Sequence, residues 1–152
     1  MKLKWTLLLG ALVPFALTAA EIEAETGKTS DLAVIKANDK ASGGKTVTFK
    51  IAPRQMKKPE ADEVPALSVK ATVEKDAVYN ISIVIYTPNT SSDSVFCAID
   101  DAPAKDKHFG FPHAGKTVLI AKSKLSAGEH QINFWSREPN LEIDKIIIEE
   151  AR

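Results

Sequence analysis

The chain has 152 residues, of which 44% are hydrophobic and 26% are charged. This composition is typical of a folded globular domain and excludes a disordered or collagen-like chain. Lysine and arginine together number 20, as do aspartate and glutamate, so the chain lacks the excess positive charge of a nucleic-acid-binding protein. A single cysteine, Cys97, leaves no partner for an internal disulfide or for a zinc site built from several cysteines.

Residues 1–20 have the three parts of a secretory signal peptide. Lys2 and Lys4 precede a short apolar run, and small residues follow it immediately before the acidic Glu21. The apolar run is too short to span a bilayer comfortably. We therefore expect an exported protein, secreted or periplasmic, whose mature domain comprises residues 21–152 and has no membrane span.

The mature chain alternates apolar and polar residues almost throughout, which is typical of β-strands with one buried face. Turn residues such as Ser-Gly-Gly, Thr-Pro-Asn and Ala-Gly separate the apolar runs, and no segment has a sustained helical stripe. The segment 53–65 is rich in proline and charge and predicts an exposed loop. Many short strands at regular spacing predict an all-β fold, an antiparallel sandwich or barrel. The predicted strands are 21–26, 31–36, 45–51, 66–73, 78–86, 94–100, 115–121, 129–136 and 142–149.

The sequence does not predict an enzyme. It has no Gly-x-Ser-x-Gly motif for a serine nucleophile. The adjacent acid pairs 100–101 and 149–150 project to opposite faces of a strand, so they cannot act together on one sugar. A hydrolase remains an alternative only if His108 and a nearby acid converge in a deep pocket.

Two glutamates near the mature N-terminus lie on one face of a predicted strand. Glu23 and Glu25 are two residues apart, and their carboxylates repel unless a cation or buried hydrogen bonds relieve them. Asp144 lies among isoleucines of the last predicted strand, where an unpaired carboxylate is costly. Oxygen ligands from two distant strands suit Ca²⁺. Exposed glutamates on an edge strand are the alternative interpretation.

Four segments, taken in order, resemble a known family. They are EIEAET at 21–26, GGKTV at 43–47, LSAGEHQINF at 125–134 and LEIDKIII at 141–148. Together they are similar to carbohydrate-binding modules of families 6 and 35, which belong to the galactose-binding-like jelly rolls. The resemblance covers nearly all of residues 21–152 and implies a β-sandwich with jelly-roll topology.

The resemblance also implies ligands. The family's structural calcium is held by carboxylates at the positions of Glu23, Glu25 and Asp144, together with main-chain carbonyls. Its sugar site often lies among loops at one end of the sandwich, with an aromatic platform and an asparagine two residues before the last aspartate. Glu142 stands at that asparagine position, so the usual sugar contact is altered here.

Further sugar contacts follow from the chemistry of the side chains. Trp135 is the only tryptophan after residue 20 and can stack on a pyranose, and Arg137 lies on the same side of the strand and can bind hydroxyls or a carboxylate. His108 and Phe109 form a second candidate platform. The alternatives are that Trp135 covers the second face of the sandwich, that Arg137 pairs with a neighbouring glutamate, and that the histidine loop packs locally.

The sequence therefore predicts an exported, non-catalytic module that binds a polysaccharide or oligosaccharide and carries one structural calcium. Such a module would act by itself, through a partner, or as an accessory to a separately secreted glycan-degrading enzyme. The alternative is a protein-interaction or scaffold module that keeps the jelly roll without binding sugar.

Overall fold

The computed structural model describes residues 20–50 and 57–152. Within them the chain forms eleven β-strands and one 3₁₀ turn, η1, at Ala24–Thr26. No helix in the described part of the chain is long and apolar enough to cross a membrane. The strands are β1 Ala20–Glu23, β2 Lys28–Thr29, β3 Ala33–Ala37, β4 Lys45–Phe49, β5 Leu67–Val73, β6 Ala77–Thr87, β7 Ser94–Ile99, β8 Lys105–His108, β9 His113–Leu125, β10 Gly128–Ser136 and β11 Glu142–Glu150.

The strands form two antiparallel sheets. The first has the order β3-β4-β11-β6-β9, and β1 also pairs with β11, so the first and last described strands are neighbours. The second sheet has the order β2-β5-β10-β7-β8. The predicted antiparallel sandwich is confirmed.

The hydrophobic core lies between the two sheets and is built from alternate residues of the central strands. On β6 the fully buried residues are Ile81, Ile83 and Ile85, and β10 contributes Ile132 and Phe134. The residues between them project outward, because successive side chains of a strand point to opposite faces. One face of each sheet is therefore committed to the core.

Nine of the eleven strands coincide with predicted strands, with shifts at their ends. The predicted strand at 21–26 ends early, because residues 24–26 turn into η1. β8 was not predicted, since its sequence, Lys-Asp-Lys-His, contains no apolar residue to mark a buried face. β2 is too short to show a pattern. The predicted leader at 1–20 lies outside the described residues except for Ala20, which begins β1.

Candidate functional site

The acidic cradle is formed by the carboxylates of Glu23, Glu25 and Asp144 around the turn Ser42-Gly43. Glu23 ends β1, and Glu25 lies in η1 rather than on the same strand face, so the predicted reason for their proximity was wrong. Asp144 sits at a register irregularity of β11 between Ile143 and Lys145. An irregularity of this kind bends the strand and re-aims a side chain.

Ser42 connects two of the three carboxylates. Its backbone N–H donates to Asp144 Oδ1 and Oδ2 at 3.1 and 3.2 Å, and its hydroxyl lies 2.7 Å from Glu23 Oε2 and 3.1 Å from Asp144 Oδ1. Hydrogen bonds to carboxylates are among the stronger ones, so they hold this turn against both the first and the last strand.

Gly43 makes room for the third carboxylate. A Cβ at this position would collide with Glu25 Oε1 and lie 3.3 Å from Glu23 Oε2. Glu25 Oε2 is buried and has no hydrogen-bond partner among the described residues. A buried oxygen without a partner is costly, and a carboxylate oxygen is a ligand type that Ca²⁺ prefers. As the side chains stand, however, no three His, Cys, Asp or Glu residues within the described ranges are arranged to hold a metal ion.

A cavity on the outer face of the second sheet is named the sheet-face cleft. It encloses about 970 Å³. Its floor is β10, whose alternate residues 129, 131, 133 and 135 face the same side. Its walls are residues 58–65, which precede β5, and residues 100–104, which follow β7.

Trp135 stands at one end of the sheet-face cleft. Its indole N–H donates to the carbonyl of Glu63 at 3.0 Å, which ties the 58–65 wall to the floor. Its ring packs against a small cluster of Phe96, Ala98 and Ala104, separate from the main core. The indole is half-buried and also lines the cleft. Its buried part covers the outer face of the sheet, which was the alternative to a role in sugar binding.

Polar side chains continue the floor beyond Trp135. Ser68 Oγ donates to Asn133 Oδ1 at 2.8 Å, and Gln131 Nε2 lies 3.1 Å from the same oxygen. Planar amides of this kind suit sugar hydroxyls, which both donate and accept hydrogen bonds. Sequence alternation alone could have placed Gln131 and Asn133 beside Trp135, but nothing in the sequence showed that two walls enclose them.

The far end of the sheet-face cleft contains a histidine–aspartate pair. His130 Nδ1 lies 2.7 Å from Asp100 Oδ2, and His130 Nε2 lies 2.8 Å from the Ser126 carbonyl. The Ser126 carbonyl and the Asp100 carboxylate together raise the pKa of His130 above its ordinary value, against the opposing effect of burial. Burial would raise the pKa of Asp100, but the Gln131 N–H and His130 lower it below its usual range.

A second cavity of about 700 Å³ lies among loops at one end of the first sheet and is named the loop-end cleft. Glu142 lies in it, where it accepts hydrogen bonds from Asn38 Nδ2 at 3.0 Å and Thr46 Oγ1 at 2.8 Å and pairs with Lys36. Burial would raise the pKa of Glu142, but these three partners lower it. The carboxylate predicted to contact sugar is therefore already occupied by protein donors. Other lining residues are Asp39, Lys40, Tyr86, Pro88, Asn89, His113 and Asn140.

Arg137 follows the end of β10 and contacts protein groups. Its Nη1 donates to Ser94 Oγ at 2.8 Å and lies 3.9 Å from Glu138 Oε1. Its guanidinium carbon lies 5.9 Å from the centre of the Phe96 ring. Burial would raise the pKa of Glu138, but the Ser94 hydroxyl, Asp93 and Arg137 together lower it.

His108 and Phe109 line neither the sheet-face cleft nor the loop-end cleft. His108 pairs at 3.4 Å with Asp106, and both side chains are about half exposed, at 50% and 59%. A pair this open does not form the deep pocket that a hydrolase would need. Phe109 packs partly against the main core, and its carbonyl lies 3.0 Å from His113 Nε2. The five predicted sugar contacts are thus spread over three places.

Solved structures of known proteins share this architecture. The chain matches the family 35 carbohydrate-binding module from Clostridium thermocellum with a TM-score of 0.62 and 20% identity, over 87% of this chain and 98% of that one. It matches the module CBM6cm-2 from Cellvibrio mixtus lichenase 5A, solved with cellotriose, with a TM-score of 0.58 and 18% identity, over 88% and 98% of the two chains. The chain has the fold of carbohydrate-binding modules of families 35 and 6.

The predicted resemblance and the predicted jelly-roll sandwich are thus confirmed for the fold. The Podospora anserina GH26-CBM35 β-(1,4)-mannanase also matches, with a TM-score of 0.64 and 16% identity, over 88% of this chain but only 28% of that one. No protein-family model and no curated protein matches the sequence.

Proposed function

We propose that this protein is an exported, non-catalytic carbohydrate-binding module and that the sheet-face cleft is its sugar site. The observation that carries the proposal is the arrangement of Trp135 and the amides of Gln131 and Asn133 along one strand, on the floor of a walled cleft. The shared fold with carbohydrate-binding modules supports it.

Trp135 and the two amides would contact different parts of a sugar. The exposed part of the Trp135 indole offers a face for the C–H groups of a pyranose, and the amides fix the orientation of its hydroxyls. Little surface is buried by one or two sugar rings, so we expect a dissociation constant roughly between micromolar and millimolar.

We further propose that the acidic cradle holds a structural Ca²⁺. Glu23, Glu25 and Asp144 would supply carboxylate oxygens, which Ca²⁺ prefers, and the buried unpartnered Glu25 oxygen supports this assignment. The carboxylates would have to turn toward a common point, because they do not hold a metal ion as they stand. The ion would tie β1 and β11 to the turn at Ser42 and would not touch sugar.

The test of the sugar site is a glycan array followed by titration of the bound glycan into wild-type and variant protein. Trp135→Ala should abolish binding, whereas Trp135→Phe, which keeps an aromatic face but loses the N–H to Glu63, should retain part of it. The matched control is Tyr86→Phe in the loop-end cleft, which should bind as wild type does. Loss of binding in the Tyr86 variant alone would move the site to the loop-end cleft and contradict the assignment.

A protein-interaction module is the second candidate. The ring of Phe111 is 81% exposed at the tip of the β8–β9 loop, and Leu119 on the edge strand β9 is 57% exposed. Exposed apolar side chains of this size are candidate contact points for a protein partner. Silence across the glycan array, with a calcium-dependent melting temperature retained, would favour this candidate.

The leader and the partner are proposals as well. N-terminal sequencing of the exported protein should begin at Glu21 if residues 1–20 are a signal peptide. The part that matches this chain makes up 28% of the Podospora anserina GH26-CBM35 mannanase. This arrangement supports an accessory role for the chain beside a glycan-degrading enzyme. Addition of the protein should then raise the rate of such an enzyme on insoluble glycan and leave its rate on a soluble oligosaccharide unchanged.

A further inference from the structure

Among the described residues, the sheet-face cleft is lined by more acidic than basic groups. Two of its carboxylates lie on the 58–65 wall, two on the 100–104 wall and one at the start of β10, whereas the described basic groups that line it are Lys58 and His130. The five acidic residues are Glu60, Glu63, Asp100, Asp101 and Glu129. The loop-end cleft differs, because two lysines and two carboxylates line it.

Two lysines outside the cleft form ion pairs with two of these carboxylates. Lys57 lies 3.3 Å from Glu60 Oε1, and Lys70 lies 2.7 Å from Glu129 Oε1, but all four side chains are more than half exposed. Exposed pairs of this kind are weak and give way easily to another cation. Asp101 makes no hydrogen bond or ion pair with any described residue, so its carboxylate is available to a ligand.

A second observation points to a ligand in the same cleft. Asn133 is only 8% exposed, and its Oδ1 is occupied by Ser68 and Gln131, but its Nδ2 donates to no residue that the structure describes. This amide nitrogen is therefore accessible at the surface, and Asn133 lines the cleft. The hydrogen bonds to Oδ1 fix the orientation of the amide, and its N–H groups can donate to an uncharged sugar oxygen.

We propose that the sheet-face cleft recognises a polysaccharide of amino sugars, with free ammonium groups placed against the acidic walls. The inference rests on the proposed function and names its ligand class. Trp135 stacks on one ring, Asn133 Nδ2 donates to a ring or hydroxyl oxygen, and the ammonium groups face Asp101 on one wall and Glu60 on the other. A polymer of uronic acids would place its carboxylates against the same walls and is rejected by like charge.

The test compares three β-1,4-linked oligosaccharides of equal length, built from glucosamine, glucose and glucuronic acid. All three titrations are run at the same pH, about 5.5. By titration calorimetry in dilute buffer we expect the glucosamine oligomer to bind about tenfold more tightly than the glucose oligomer, and the glucuronate oligomer to bind most weakly. The preference should shrink in about 0.5 M salt, because exposed charges are then screened.

Variants assign the preference to the cleft. Glu60→Gln combined with Asp101→Asn should lower affinity for the glucosamine oligomer about tenfold and leave the glucose oligomer unchanged. The control is Glu74→Gln, which removes an exposed charge on the β5–β6 turn, outside the cleft, and should change neither affinity.

Two results would overturn the inference. One is equal affinity for the three oligomers, and the other is a glucosamine preference that survives the double substitution. Either result leaves the proposed function standing where the glycan array and Trp135→Ala support it. Failure of every glycan on the array instead refutes the proposed function, which separates the two failures.

Discussion

Glu25→Gln should change stability in opposite directions with and without calcium. The substitution keeps the shape of the side chain and removes one of three negative charges in the acidic cradle. Without a cation, Glu25 Oε2 is buried and unpartnered, and an unmade buried hydrogen bond costs about 1–3 kcal/mol. The amide of glutamine can donate to the Glu23 carboxylate close by, so the variant should be more stable than wild type in chelator by about 1 kcal/mol.

Calcium should reverse this order. A cation present at about one hundred times its dissociation constant stabilises the folded state by about 2.7 kcal/mol. In a domain of this size, each kcal/mol corresponds to about 3–4 °C in melting temperature, so wild type should gain about 10 °C. Glu25→Gln loses a charged ligand and should gain less than half of that shift.

The assay is thermal unfolding of both proteins in chelator and in millimolar calcium, and Glu21→Gln is the matched control. Glu21 lies in β1 beside the cradle, but its carboxylate pairs with Lys145, so its variant should show the full calcium shift. The reasoning is refuted if Glu25→Gln melts below wild type in chelator, or if its calcium shift equals that of wild type.

Three further outcomes follow from the structure. Phe134→Ala should lower the free energy of unfolding by about 3–5 kcal/mol in urea titrations with an unchanged m-value, because a fully buried core side chain is removed. Because the Ser126 carbonyl and Asp100 raise the folded-state pKa of His130, its stabilising effect should be complete below its unfolded pKa of about 6.5 and fade as pH rises through the higher folded value. The slope of unfolding free energy against pH should flatten in His130→Gln. Gly128→Ala should lower the melting temperature by several degrees, since the backbone there has a φ of 133° that side chains disfavour.

The strands were predictable because their pattern is locally encoded. β6 and β10 alternate apolar and polar residues along most of their length, and one face of each packs into the core. β8 escaped prediction for the opposite reason: its residues are charged, and it is a strand only because β7 offers it backbone partners. Pairing of this kind is a property of the folded chain and leaves little trace in the strand's own sequence.

The acidic cradle was predicted by residue but not by geometry. The two-residue spacing of Glu23 and Glu25 suggested one strand face, whereas the chain turns between them into η1. Neither that turn nor the irregularity that re-aims Asp144 has a sequence signature. Ser42 and Gly43 were missed as parts of the cradle, although the two glycines at 43–44 marked the turn, because their role depends on a contact about 100 residues distant along the chain.

The alternation of β10 separates stability from binding within a single strand. Ile132 and Phe134 point into the core and are fully buried, while Asn133 and Trp135 line the sheet-face cleft. A substitution at an inward position changes the free energy of unfolding, and its effect on sugar binding follows only from lost structure. Asn133→Ala should instead weaken sugar binding with a smaller loss of stability, because the outward position carries the unused donor. If Asn133→Ala and Phe134→Ala reduced affinity in proportion to their loss of stability, the outward face would be a covering layer and the sugar site would lie elsewhere.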